Sequence, residues 1–295
     1  MQSSDTSWIA GKNCMITGAN SGIGKATSSA LAKLGAHAIM VCRDSARGEE
    51  ARSEVIQTAG VTKDGVSLMI ADLASFASVR KLASDFLQTS QPLHVLVNNA
   101  GVILGNRSVT VDGFETTFQV NYLSHFLLTN LLLDELRASA PSRIVNVTSS
   151  AHAGGHMDFS DLQEEKGYSG FKSYSQSKLA QVLFTRELAK RLEGTDVTVN
   201  CVHPGAVATN WGRHSAGLLS VGVRLGSIFM LSPEKGADTS VYLASSPEVS
   251  GVTGMYFYKR KVAQPSKESL DDDAARRLWD MSVQLTSIPQ ATAVR

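Results

Sequence analysis

Tyr174 and Lys178 stand four residues apart in YSQSK, a spacing that puts both side chains on one face of a helix. A free phenol ionises at a pKa of about 10, too high for efficient proton exchange near neutrality. A nearby ammonium favours phenolate and lowers that value. Such a pair can pass a proton to or from an alcohol or carbonyl oxygen. The Tyr-x-x-x-Lys spacing is common by itself, so its weight comes from what accompanies it. Ser149 and Ser150 end an apolar, β-rich run, RIVNVTS, where a hydroxyl can hydrogen-bond a substrate oxygen. Asn98-Asn99-Ala100-Gly101 ends another such run. Asn121 sits within the helical pattern FQVNYLSHF, where an amide is a middling helix former and needs a reason.

The first apolar run ends in Thr17-Gly18-Ala19-Asn20-Ser21-Gly22-Ile23-Gly24-Lys25, and a helical pattern follows directly. Glycines at this spacing turn the chain tightly and let a pyrophosphate approach with no Cβ in the way. The free N–H groups and dipole of the following helix favour the anion. A strand before the loop and a helix after it form the context that gives the motif meaning. Gly18, Asn20, Ser21, Gly22, Ile23 and Gly24 are therefore expected to contact a dinucleotide. The second run ends in Val41-Cys42-Arg43-Asp44. An NAD site usually places an acid here, about 20 residues past the glycines. Cys42 is neutral, and the Arg43 guanidinium can bind a 2′-phosphate, so NADP(H) is expected over NAD(H). Lys25 either adds charge or is solvated on its helix. Asp44 argues the other way, since a shift of one residue brings a carboxylate to the ribose. Asp72, before Leu73, has two equal readings: an acceptor for the adenine amino group, or a cap for the helix beginning near Ser75.

In this order, TGANSGIG, NNAG, the helix Asn121, the strand-end serines and Tyr-x-x-x-Lys resemble the short-chain dehydrogenase/reductase family over most of the chain. The stretch YSGFKSYSQSKLAQVLFTRELAKRL through VNCVHPG, and CRD after the second run, are most similar to its retinol dehydrogenase branch and the related WW-domain oxidoreductases. The resemblance implies Tyr174 as catalytic acid/base. It implies that Lys178 holds the nicotinamide ribose and lowers the tyrosine pKa. Ser150, in preference to Ser149, would position the substrate oxygen, and Asn121 would fix a water that links Lys178 to bulk. Cofactor contacts are implied at Asp72, Leu73, Asn98, Ala100 and Gly101 as well as at Tyr174 and Lys178, with Asn98 also stabilising the central sheet. Pro204, Gly205 and Val207 would line the nicotinamide, with Thr209 near its carboxamide. Ser150 and Tyr174 are 24 residues apart, longer than in the shortest family members and similar to the retinol branch. The implied reaction moves a hydride between nicotinamide and a hydrophobic aldehyde, ketone or alcohol of retinoid-like character. Another carbonyl or steroid reductase of the family is the first alternative. A regulator that only senses nucleotide is the second, and it has no need of Tyr174 beside Lys178.

The elements that must position these residues are legible as alternation. Apolar runs at 13–18, 37–42, 66–73, 94–99, 143–149, 197–205 and 255–259 carry little strict period-2 pattern, as strands buried on both faces do. Helical patterns fall at 22–34, 46–58, 76–87, 113–137 and 174–192. Strands alternating with helices call for right-handed crossovers. The expected fold is α/β: one Rossmann-type domain with a doubly wound sheet of about seven parallel strands, order 3-2-1-4-5-6-7, and helices on both faces. After Pro204 the regularity breaks until about Pro233, and 206–232 is read as a substrate lid. Its apolar part, 218–231, serves equally as a packed helix or an oligomer contact. A C-terminal helix is expected at 269–285, with Asp271, Asp272 and Asp273 leading and Arg276 and Arg277 behind. That order suits the helix dipole and a solvated surface helix.

Composition narrows the remaining classes. The 295 residues are enough for a large core, and 43% hydrophobic with 19% charged residues exclude pervasive disorder. A net charge of +1 makes no electrostatic case for nucleic acid. Cys14, Cys42 and Cys201 are too few for a disulfide framework or a cysteine zinc site. The longest apolar stretch, 218–231, contains Arg224 and falls short of the roughly 20 residues of a membrane span. MQSSDTSWIAGK has no signal-peptide pattern, so a cytoplasmic, reducing setting is expected. His152 and His156, with Asp158 and Asp161 following, could form a metal site; Gly154-Gly155 between the histidines favours a solvated loop without zinc. Family members pair through helices at the sheet edge, and the resemblance carries a homodimer as an expectation.

Overall fold

A computed structural model describes residues 8–205 and 231–288. The seven apolar runs become β1 (Asn13–Thr17), β2 (His37–Cys42), β3 (Val66–Ile70), β4 (Val95–Asn98), β5 (Ser142–Val147), β6 (Val197–His203) and β7 (Tyr256–Tyr258). They form one sheet in the order β3-β2-β1-β4-β5-β6-β7, all parallel, and β8 (Lys261–Val262) adds an antiparallel edge. The sequence reading missed β8. It is two exposed residues long and follows a turn in which Lys259 and Arg260 hold positive φ without a glycine.

Alternation along the strands divides the core into two layers. Met15, Leu96, Ile144 and Val199 meet α3 (Phe76–Gln88), α5 (Ser124–Leu131), α6 (Leu133–Ala138), α7 (Gly170–Arg191) and α9 (Asp272–Leu285). Cys14, Ile16, Val97 and Val145 meet α1 (Gly22–Lys33), α2 (Ser45–Ala59) and α8 (Pro233–Ser245). The sequence reading left α8 unnamed, although Ser232 as N-cap, Pro233 in the first turn and Glu234 after it are a start signal. The helix expected at 113–137 is broken. A short α4 (Thr116–Phe118) enters a π turn at Gln119–Leu123, where the Ser124 N–H bonds the Gln119 carbonyl five residues back. The chain then runs through α5, breaks at Leu132 and resumes as α6. Helix α7 begins at Gly170, four residues before the expected start. The proposed lid at 206–232 lies almost wholly outside the described residues.

The C-terminal helix is more than a solvated surface element. Asp271 caps it by accepting the N–H groups of Asp273 and Ala274, while its inner face enters the core. Trp279 meets Phe126 edge-on at 4.9 Å and stacks over Phe184 at 6.0 Å. The Tyr122 and Ser282 hydroxyls are hydrogen-bonded at 2.7 Å. Helix α9 thus backs the π turn and α7 from behind. No described helix is long and apolar enough to cross a membrane. Trp279→Ala is expected to cost about 3–5 kcal/mol in urea unfolding; a loss below about 1 kcal/mol would remove α9 from the core.

Candidate active site

The sheet order reverses between β1 and β4, and a crevice opens there at the carboxyl ends of the strands, where such sheets take ligands. Its volume is about 1070 Å³. The glycine loop forms one wall. Gly18 holds φ +68°, and a Cβ on it would lie 2.9 Å from Ala100 Cα. A Cβ on Gly24 would lie 2.3 Å from the Gly18 carbonyl oxygen. The loop is pressed so closely onto the NNAG turn that only glycine fits. Ser21 caps α1 without a side-chain hydrogen bond, and the first turn carries no acid. The first N–H groups of that helix are left for an anion, which fits a dinucleotide pyrophosphate. Asn20, Ser21, Gly22 and Ile23 line the crevice beside them.

At the end of β2, Cys42 is buried, and burial pushes its thiol up to about 11. Arg43 and Arg47 are exposed and both line the crevice; Arg47 escaped the sequence reading because it lies a helical turn beyond the strand. The Asp44 carboxylate caps α2, accepting the Arg47 N–H at 2.9 Å. Lys25 pairs with Glu54. Asp72 does not cap α3: that role falls to Ser75, while Asp72 accepts the Ala74 N–H at 2.9 Å. Asp72 and Leu73 line the crevice.

Across from the glycine loop, Tyr174 and Lys178 lie one turn apart on α7, each 3% exposed, with Nζ 5.5 Å from the phenol ring centre. Nζ donates to the Val147 carbonyl and to Gln181 Oε1, both at 2.9 Å. The Thr148 hydroxyl donates to the Lys178 carbonyl at 2.8 Å and ties β5 to the same turn. The Ser149 hydroxyl faces the phenol closely enough to favour its ionised form. The sequence reading favoured Ser150; the structure brings Ser149 to the tyrosine. Ser149 caps the 3₁₀ turn Ser150–Gly154, so the chain veers away at Ser150. Ser150 is exposed, and its N–H donates to His203 Nδ1 at 3.1 Å. Burial raises the Tyr174 pKa above that of a free phenol, against the lowering effect of the Ser149 hydroxyl, and lowers Lys178 to about 7. Desolvation therefore outweighs the expected lowering of the phenol by the lysine charge.

Asn121 occupies the π turn and acts as a clamp. Its Oδ1 accepts the Val102 N–H at 2.7 Å, and its Nδ2 donates to the Val102 carbonyl and to Ser177 Oγ, both at 2.9 Å. The segment after NNAG is so fastened to α7 between Tyr174 and Lys178. Asn98 is fully buried below the crevice. Its Nδ2 donates to Thr129 Oγ1 at 2.9 Å and Asn146 Oδ1 at 2.8 Å. These bonds hold β4 to β5 and α5, so the structure gives Asn98 the sheet-stabilising position and takes it away from the cofactor wall. Asn99 lines the crevice instead, donating through Nδ2 to the Thr17 carbonyl at 2.8 Å. Ala100, Gly101, Pro204 and Gly205 also line it. Val207 and Thr209 lie outside the described residues. His152 is buried, against the solvated-loop expectation: Nδ1 donates to the Ser149 carbonyl at 2.7 Å and Nε2 accepts the Ser266 N–H at 3.1 Å. His156 is exposed beside Glu268 at 3.2 Å.

The Lys178 pKa of about 7 lies below its ordinary 10.5. Between those values the unfolded chain holds a proton that the folded chain has released, so this residue makes stability rise with pH across that window. The stability difference between the protein and its Lys178→Met variant should grow in favour of the former by about 1–2 kcal/mol from about pH 7 to pH 9 in urea unfolding. A flat difference would show that the amine is not desolvated.

The family model for short chain dehydrogenase matches residues 12–216. Retinol dehydrogenase 14 of Homo sapiens is 50% identical, covering 94% of this chain and 87% of that protein. Retinol dehydrogenase 13 of Homo sapiens is 45% identical over 97% of this chain and 88% of that protein. Among solved structures, an uncharacterized protein from Mycobacterium paratuberculosis superposes with a TM-score of 0.76 at 33% identity, covering 96% of each chain. The NADP active-site complex of Pseudomonas aeruginosa RhlG reaches 0.68 at 29% identity, over 85% of this chain and 95% of that chain. By sequence and by fold, this chain belongs to the short-chain dehydrogenase family of nicotinamide-dependent oxidoreductases.

Proposed function

We propose that the chain is an NADP(H)-dependent oxidoreductase acting on a hydrophobic aldehyde, ketone or alcohol of retinoid-like character. The observation that carries this reading is the buried Tyr174 phenol, faced by the Ser149 hydroxyl and beside Lys178, in the crevice that the glycine loop lines. A bound nicotinamide supplies or receives the hydride. Tyr174 exchanges the proton with the substrate oxygen, and Ser149 holds that oxygen beside the phenol. Burial keeps Tyr174 protonated at rest, which suits it to donate to a carbonyl oxygen. Two of the three Lys178 donors are taken by Val147 and Gln181 among the described residues, and the third serves the cofactor ribose.

Leu104, Val120, Ala151 and Phe171 give the crevice apolar walls, which supports a hydrophobic substrate. Relatives named retinol dehydrogenases support the same class. Preference for NADP(H) draws support from two exposed guanidinia, Arg43 and Arg47, and from the use of Asp44 as a helix cap. Tyr174→Phe should lower kcat about 10³-fold in NADPH oxidation with retinal and a panel of aldehydes. NADPH affinity should stay within about threefold, since an interaction realised in the transition state changes kcat and not ground-state binding; near-normal turnover by this variant would overturn the assignment. Arg43→Ala should reduce kcat/KM for NADPH about 10- to 100-fold and leave that for NADH nearly unchanged. A protein that uses NADH with the higher kcat/KM would refute the cofactor preference.

A further inference from the structure

His125 is 1% exposed, directly beneath the crevice on α5. One ring nitrogen, Nδ1, lies 3.0 Å from the Asn121 carbonyl, and the other, Nε2, lies 3.0 Å from Thr17 Oγ1. The Thr17 hydroxyl also accepts the N–H groups of Asn99 and Ala100, at 2.9 and 3.0 Å. Two incoming N–H bonds fill its acceptor sites and leave only its proton to give. Two acceptors compete for that proton, the Val97 carbonyl at 3.4 Å and His125 Nε2 at 3.0 Å, and the nearer is the imidazole. Nε2 must then be the bare nitrogen, and Nδ1–H donates to the Asn121 carbonyl. Burial agrees with a neutral ring, lowering its pKa to about 4 against the Asn121 bond.

Each end of this bridge serves a different half of the site. Thr17, Asn99 and Ala100 form the seat on which the glycine loop rests, with Gly18 pressed against Ala100. Asn121 leads the other way, through Ser177, whose hydroxyl donates to the Tyr174 carbonyl at 2.7 Å. We propose that His125 is a positioning residue that couples the cofactor seat to the acid–base pair, by holding Thr17 through bare Nε2 and Asn121 through Nδ1–H. The inference rests on the functional reading above for the roles of those two halves, and His125 itself touches neither cofactor nor substrate.

Two measurements test it. The first needs no variant: two-bond ¹H–¹⁵N correlation of the histidine rings at pH 7 should show His125 as the neutral Nδ1–H tautomer. An Nε2–H tautomer or an imidazolium overturns the proposal. The second uses two substitutions that each keep one end of the bridge. In His125→Gln the amide overlies Nε2 and retains the Thr17 end, so NADPH Kd should stay within about threefold while kcat drops about tenfold. In His125→Asn the amide overlies Nδ1 and retains the Asn121 end, so Kd should weaken about tenfold while kcat stays within about threefold. Thr17→Val should weaken Kd at least as much as His125→Asn does, because it also removes the acceptor of the Asn99 and Ala100 N–H groups, and the Thr17→Val/His125→Asn double variant should be no worse than Thr17→Val alone. Equal effects of Gln and Asn on both Kd and kcat would reduce His125 to a core filler and refute the coupling. Kd is read by fluorescence with NADPH, or with NADH if that binds more tightly. Neither that titration nor the tautomer requires turnover, so a protein inactive on every aldehyde would sink the substrate reading and leave this one standing or falling on its own data.

Discussion

An amine carried into a region closed to water sets the terms for this site. Lys178 is 3% exposed, and its charged form is met by two protein oxygens, Val147 O and Gln181 Oε1. Desolvation of a cation is costly unless such partners are fixed in advance. The fixing is done by β5, which supplies Val147, and by α7, which supplies both Lys178 and Gln181. The strand and helix are joined again by Thr148 on the Lys178 carbonyl. Once that amine is seated, Tyr174 lies one helical turn away and Ser149 two residues beyond the strand. The spatial relation of the three groups follows from one strand–helix contact.

That contact would be of little use if the cofactor side could slide relative to it. Two rows of buried polar groups prevent this. Asn98, Asn146, Thr129 and Thr185 link the middle of the sheet to α5 and α7. Closer to the crevice, Asn121 spans from Val102 to Ser177. Buried polar networks are costly when incomplete and specify one arrangement when satisfied. The π turn belongs to this second row. An extra residue in the helical turn carries Asn121 toward both partners, in keeping with the frequent placement of such turns at functional sites.

Much of this was legible from residue order. The seven parallel strands announce themselves as β-rich apolar runs, and the glycine loop, NNAG and Tyr-x-x-x-Lys all fall at strand ends or on the helix beside them. Ser149 and Ser150 show where that legibility stops. Two adjacent serines have the same chemistry, and only the point at which the backbone leaves β5 decides which hydroxyl meets Tyr174. Asn98 and Asn99 repeat the lesson in reverse: adjacent amides point to opposite sides of the chain, one into the sheet and one toward the crevice. Asp44 was ambiguous for a related reason, because a carboxylate beside a nucleotide site and a carboxylate capping a helix are indistinguishable until α2 is seen to begin at Ser45. His125 carried no signal beyond being a histidine on an apolar helix, where a satisfied core residue is the ordinary expectation.

The sequence alone determined the sheet, its crossovers, the glycine-rich entry to the first helix and the chemical types gathered at the strand ends, because those depend on local periodicity and short-range sterics. Only the tertiary structure decided which member of each adjacent pair faces the crevice, that the helix through Asn121 contains a π turn, and that Trp279 from the far end of the chain closes the core behind it. The reason is physical: hydrogen-bond direction and burial are set by neighbours distant in sequence, and a one-residue change of register reverses both.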